Sequence, residues 1–210
     1  MTQKLHLFEN TLFRGAELDK AQRAALFIHG RGDTSNGMEQ LAAELVSDPA
    51  MALVFPKATQ ASWYPRSFLA PTQENQPWLD SALENIDTII NHLRSHGIAE
   101  KNIFLLGFSQ GACLSLEYAC RHARSYGGIM ALSGGLIGPE IDQRKYQGDF
   151  AGTEIFIGCS DVDFHIPVER VHASAEIASA MGASVDKRIY PGMGHHVNED
   201  ELEKVKLMLK

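Results

Sequence analysis

Ile103–Gly111 reads IFLLGFSQG, an apolar run that ends on a serine held between two glycines. The first part has the length and near-continuous apolar character of a strand buried on both faces of a parallel sheet. The next residues, with Ala112, Leu116, Ala119, Cys120 and Ala123 recurring at three and four, predict a helix. A strand, a sharp turn and a helix around Gly107-Phe108-Ser109-Gln110-Gly111 are the setting in which G-x-S-x-G lifts a serine hydroxyl above a sheet. The bland alternative is a serine capping a helix between two glycines.

Similar apolar runs stand on either side. They are AALFIHG (24–30), MALVFP (51–56), GIMALSG (128–134), EIFIG (154–158) and, with more polar content, SVDKRIY (184–190). Between them lie helical stripes. One runs from Pro77 to His96 on Leu79, Ala82, Leu83, Ile86, Ile89, Ile90 and Leu93, with Gly97 as its stop. Another uses Val168, Val171, Ala175, Ala178 and Met181 before Gly182, and a last one opens at Asn198 with Glu201 in capping-box spacing. Strand and helix alternate to the end, which predicts an α/β fold with a mostly parallel central sheet flanked by helices. No repeat or linker interrupts it, so residues 1–210 are expected to form one domain.

Composition narrows the class. Apolar residues make up 44% and charged residues 21%, as in an ordinary globule, and the net charge of −7 argues against a nucleic-acid surface. Three cysteines (113, 120 and 159) do not suggest a disulfide framework. The polar start MTQKLHLFEN is unlike a signal peptide, and no apolar stretch nears the ~20 residues of a bilayer span, so a cytoplasmic location is expected. A homodimer is compatible with these features and is not decided by them.

A serine nucleophile needs a base, and the base an orienting acid, in the order Ser, acid, His on this architecture. GCSDVDFHIP follows the next-to-last strand and YPGMGHHVNED the last. From the residues alone, Asp161 or Asp163 serves as acid and His195 or His196 as base. The oxyanion would take backbone N–H groups from Gln110, after the serine, and from Arg31 in the early loop HGRGD. Two long connections, 57–76 and 134–152, are candidate pocket walls. Their aromatics could equally seal the crossovers. Trp63, Phe108, Leu136, Phe164 and Met193, with Trp78, are candidates for an apolar substrate pocket, and each could equally be core.

The motifs HGRGD, SWYP, GFSQGA, LSGGL, DFHIP and YPGMGHHV, ordered from Ile28 to Val197, resemble the phospholipase/carboxylesterase branch of the α/β-hydrolases, which includes acyl-protein thioesterases. The resemblance implies a compact α/β-hydrolase fold with no large lid. It implies hydrolysis of small-molecule carboxylic esters or thioesters, lysophospholipid acyl esters among them, through a Ser-His-Asp triad and an acyl-enzyme. No metal or organic cofactor is implied. In that family the acid stands four residues before a proline, which points to Asp163 and Pro167, and the base follows G-M and one more residue, which points to His195. Phe164 departs from the pattern, because proline often follows the aspartate. Three other readings compete with an esterase: a dienelactone- or peptidase-like hydrolase, a non-catalytic binding protein of the same fold, and a metal hydrolase. The last lacks the i, i+4 histidine pair of H-E-x-x-H.

Overall fold

The computed structural model describes residues 4–210. Seven strands form one sheet: β1 (Leu12–Gly15), β2 (Arg23–Ile28), β3 (Met51–Phe55), β4 (Ile103–Phe108), β5 (Gly128–Leu132), β6 (Glu154–Ser160) and β7 (Ser184–Tyr190). Their spatial order is β1-β3-β2-β4-β5-β6-β7, with β1 antiparallel to β3 and every other pair parallel. The apolar runs at 24–30, 51–56, 103–108, 128–134, 154–158 and 184–190 therefore all carry strands.

Period-two side-chain alternation sends each inner strand into two cores. Ile103 and Leu105 of β4 join Leu26, Ile129 and Ile157 on one face, under α2 (Trp78–Ser95), α3 (Gln110–Arg121) and α4 (Val168–Ala180). Phe104 and Leu106 join Phe27, Met130 and Phe156 on the other, under α1 (Ser35–Leu45) and α5 (Glu199–Met208). The α2 stripe read from sequence is buried from Leu79 to Leu93, and Gly97, at φ +87°, ends it in the left-handed region. Each such aliphatic contributes about 1.5–3 kcal/mol on full burial. β7, at the sheet's edge, has no fully buried residue, as its mixed polarity implies.

Helix α1 is not among the stripes read from the sequence. Its buried apolar face is only Met38, Ala42 and Leu45, and Gly37 sits in its first turn. Thr34 caps it by accepting the Asn36 N–H at 3.4 Å, and packing against the second core supplies the rest.

From β2 the chain steps outward to β3, returns across to β4, and then proceeds the other way to β7. The order reverses between β2 and β4. Loops leaving the carboxyl ends of these two strands flank a crevice, the place where open α/β sheets bind ligands. HGRGD leaves β2 there and Ser109 leaves β4.

Candidate active site

Ser109 occupies the turn between β4 and α3 at φ 54°, ψ −117°, outside the regions comfortable for a residue with a Cβ. The glycines around it make this turn fit. A Cβ on Gly107 would run into the Gly111 and Ala112 backbone, and one on Gly111 into the carbonyls of Ile28 and His29. Strand β2, strand β4 and the start of α3 meet there without room for a methyl group. The helix that follows turns its positive end toward the serine.

His195, in the loop after β7, meets that hydroxyl. Its Nε2 lies 2.9 Å from Ser109 Oγ and its Nδ1 2.7 Å from Asp163 Oδ2. Asp163, in the loop after β6, is 8% exposed and also accepts the N–H groups of His165 (2.8 Å) and Ile166 (3.1 Å) through Oδ1. Burial alone pushes its carboxyl up. The imidazole and the two N–H donors outweigh that and hold it below the usual carboxylate range. An ionised Asp163 accepts a hydrogen bond from Nδ1–H, which keeps the proton on that nitrogen and leaves Nε2 free to accept from Ser109.

The neighbouring candidates lie elsewhere. Asp161 Oδ1 accepts the Gly192 N–H at 2.8 Å, and Ser160 Oγ accepts that of Gly194 at 2.9 Å. These two bonds fasten the histidine loop to the end of β6. His196 is exposed.

The cleft beside Ser109 measures about 410 Å³ and is lined by Arg31, residues 64–68, Phe108, Gln110, His165 and Ile166, among others. Arg31 and Gln110 both line it, and the backbone N–H of neither is taken by an acceptor among the described residues. Of the six side chains expected to line an apolar pocket, Phe108 does so, with its ring 5.2 Å from that of His195, whereas Trp78 packs its ring against His6. Trp63 and Leu136 do not, because both are fully buried in the core. Trp63 gives its indole N–H to the His29 carbonyl at 2.9 Å. Phe164 is 79% exposed, lies outside the cleft lining and packs its ring at a tilt against His165, and Met193 lies against Asn198.

Residues 57–76 do supply a wall, whereas residues 134–152 do not. The second segment is drawn to the helices instead. Buried Glu117 accepts the Ile137 N–H and the Tyr146 hydroxyl, each at 3.0 Å, and Arg170 donates to the carbonyls of Leu136 and Gly138. No apolar period announces such long-range polar bonds.

Side chains hold the 63–67 wall peptide by peptide. Gln110 accepts the Trp63 N–H through Oε1 and donates Nε2 to the Tyr64 carbonyl, both at 2.8 Å. Arg31 donates to the carbonyls of Pro65 (2.8 Å) and Arg66 (2.6 Å). Buried Asn75 accepts the Arg66 N–H at 2.8 Å and donates to the Ser67 carbonyl at 2.9 Å. Sequence patterns place Gln110 and Arg31 as backbone donors, offer His165 only as a metal ligand or a solvent-facing loop residue, and give no signal for Asn75 or Arg66. His29 adds a further tie. Its Nε2 accepts the Ala58 N–H at 3.1 Å, so Nδ1 carries the proton toward the Gly30 carbonyl, and burial lowers its pKa, keeping it neutral.

Residues 15–210 match the family model described as Phospholipase/Carboxylesterase. Acyl-protein thioesterase 1 of Saccharomyces cerevisiae is 29% identical over 96% of this chain and 97% of its own length. A probable carboxylesterase of Oryza sativa subsp. japonica is 28% identical over 88% of this chain and 76% of its own. The crystal structure of a phospholipase/carboxylesterase from Dyadobacter fermentans DSM 18053 superposes with a TM-score of 0.95 at 41% identity, covering 100% of both chains.

Proposed function

The chain belongs to the phospholipase/carboxylesterase family of α/β-hydrolases, and from that premise we propose that it hydrolyses carboxylic esters through Ser109, His195 and Asp163. The observation that carries this reading is the continuous hydrogen-bonded series from Ser109 Oγ to His195 (2.9 Å) to Asp163 (2.7 Å). Ser109 attacks the acyl carbonyl as its proton passes to Nε2, and the Asp163 carboxylate stabilises the imidazolium that results. The N–H groups of Arg31 and Gln110 receive the oxyanion. Nε2–H then protonates the leaving alcohol, and a water molecule, deprotonated by the same nitrogen, releases the acid from Ser109. A thiolate leaves by the same route. The name of the yeast relative brings thioesters within the proposed substrate range.

A fluorophosphonate probe tests the nucleophile directly. Wild-type protein should be labelled once per chain and should release a burst of p-nitrophenol from p-nitrophenyl acetate. Ser109→Ala should lose the label and about 10⁴-fold or more of turnover. Turnover that survives this substitution would overturn the assignment.

A further inference from the structure

Charged side chains on the cleft, apart from His165 and His195, are Arg31, Asp33 and Arg66. Asp33 is spoken for. Its Oδ1 accepts the Thr34 N–H at 2.6 Å, and its Oδ2 stands 2.9 Å from where a Cβ on Gly37 would be, over the first turn of α1. A helix start suits a carboxylate. Arg31 spends both terminal nitrogens on the carbonyls of the wall, which hold its position without cancelling its charge.

Arg66 differs from both. Its peptide is fastened on either side, by Asn75 at the N–H and by Arg31 at the carbonyl. Arg66 is exposed and is among the residues that line the cleft, and its guanidinium has neither an ion-pair nor a hydrogen-bond partner among the described residues. That is unusual in this molecule. Arginines 14, 23, 94, 121, 124, 144 and 188 each hold a carboxylate, in a chain with 26 acidic and 19 basic residues. Among the described residues, Arg31, Arg66 and Arg170 hold no carboxylate, and the first two line the cleft beside Ser109.

We propose that Arg66 selects ester substrates carrying an anionic group, a carboxylate or a phosphate, close to the scissile bond. This rests on Ser109 being the nucleophile. Arg66 supplies a planar donor fork matched to either anion, and Arg31 adds positive potential without moving. A cleft of about 410 Å³, near the lower end for ligand pockets, keeps that anion within a short chain of the ester.

The test uses two matched pairs, followed by pH-stat in the full chain. Methyl butyrate is compared with monomethyl glutarate, which carries a carboxylate on the acyl side. 1-Acetylglycerol is compared with its 3-phosphate, which carries the anion on the alcohol side. The readout is kcat/KM for the anionic member over that for the neutral one. In at least one pair wild-type protein should favour the anion by about ten- to a hundredfold, the range of a hydrogen bond between charged groups. The pair that responds identifies which arrangement is read, a carboxylate on the acyl side or a phosphate on the alcohol side. Arg66→Gln should bring the ratio to about one or below, Arg66→Lys should keep part of it, and Arg66→Glu should reverse it. Raising the salt should shrink it. Unaltered circular dichroism melts establish that the variants fold.

Neutral esters turned over in a Ser109-dependent way, with no anionic preference in either pair, would overturn the role of Arg66 alone. A preference that survives Arg66→Gln would do the same. Absence of all turnover together with absence of fluorophosphonate labelling would overturn the nucleophile, and this inference with it.

Discussion

Gln110, the residue after Ser109, holds the Trp63 N–H through its side chain at 2.8 Å, across 47 positions of sequence. Its other amide atom holds the Tyr64 carbonyl at the same distance. The start of α3 and the wall of the cleft thus form one hydrogen-bonded piece. Gln110→Glu keeps the acceptor for Trp63 but sets an oxygen against the Tyr64 carbonyl. It should cost about 1–3 kcal/mol of stability and raise KM more than it lowers kcat. Urea titration and steady-state kinetics on p-nitrophenyl acetate check both effects.

The two aspartates of the loop after β6 should separate sharply. Asp163→Asn cannot hold the imidazole in the tautomer that accepts from Ser109, and kcat should fall by about 10⁴-fold. Asp161→Asn disturbs only the bond to the Gly192 N–H. It should cost about tenfold at most, the worth of one such bond. Comparable losses in the two variants would contradict the geometry.

The backbone at Ser109 offers a third measurement. A non-glycine residue at φ 54°, ψ −117° stores about 1–3 kcal/mol of strain. Ser109→Ala keeps that strain and Ser109→Gly relieves it, with part of the gain offset by the more flexible unfolded chain. Both variants should be inactive, and the glycine variant should be more stable by about 1 kcal/mol, or about 2–4 °C in Tm for a chain of this size.

Glu201 gives a pH dependence of known sign. Burial pushes its carboxyl from the usual 4.5 up to about 7, against the hydrogen bond from the Asn198 N–H. The folded protein therefore binds more protons than the unfolded chain between those values. The stability linked to Glu201 is complete below pH 4.5 and is lost as pH rises through about 7. Glu201→Gln, which still suits a capping box, should remove this decline. The difference in Tm between variant and wild type should grow in the variant's favour from pH 5 toward pH 8 in buffered thermal melts.

Much of this architecture is legible in the residues. Long apolar runs and stripes of three and four mark elements whose burial is repeated along the chain, and such repetition survives in one dimension. Helix α1 escapes because its stripe has three members and its first turn contains Gly37. The spacing Gly107-Ser109-Gly111 is also readable, since backbones that touch exclude side chains wherever the glycines fall. Family motifs narrow the acid to Asp163 and the base to His195, although period and spacing leave Asp161 and His196 open.

The sequence by itself therefore determined the alternation of strands and helices, the strained turn at Ser109, and the order in which acid and base follow it. Only the tertiary structure decided which residues meet across the cleft. It set His195 between Ser109 and Asp163, drew Trp63 and Leu136 into the core, and left the Arg66 side chain on the cleft without a partner among the described residues. The reason is physical. Local patterns record burial, which each residue undergoes separately. A hydrogen bond between Gln110 and Trp63, or between His195 and Ser109, depends on where two distant loops arrive at the same strand ends, and no local period encodes that.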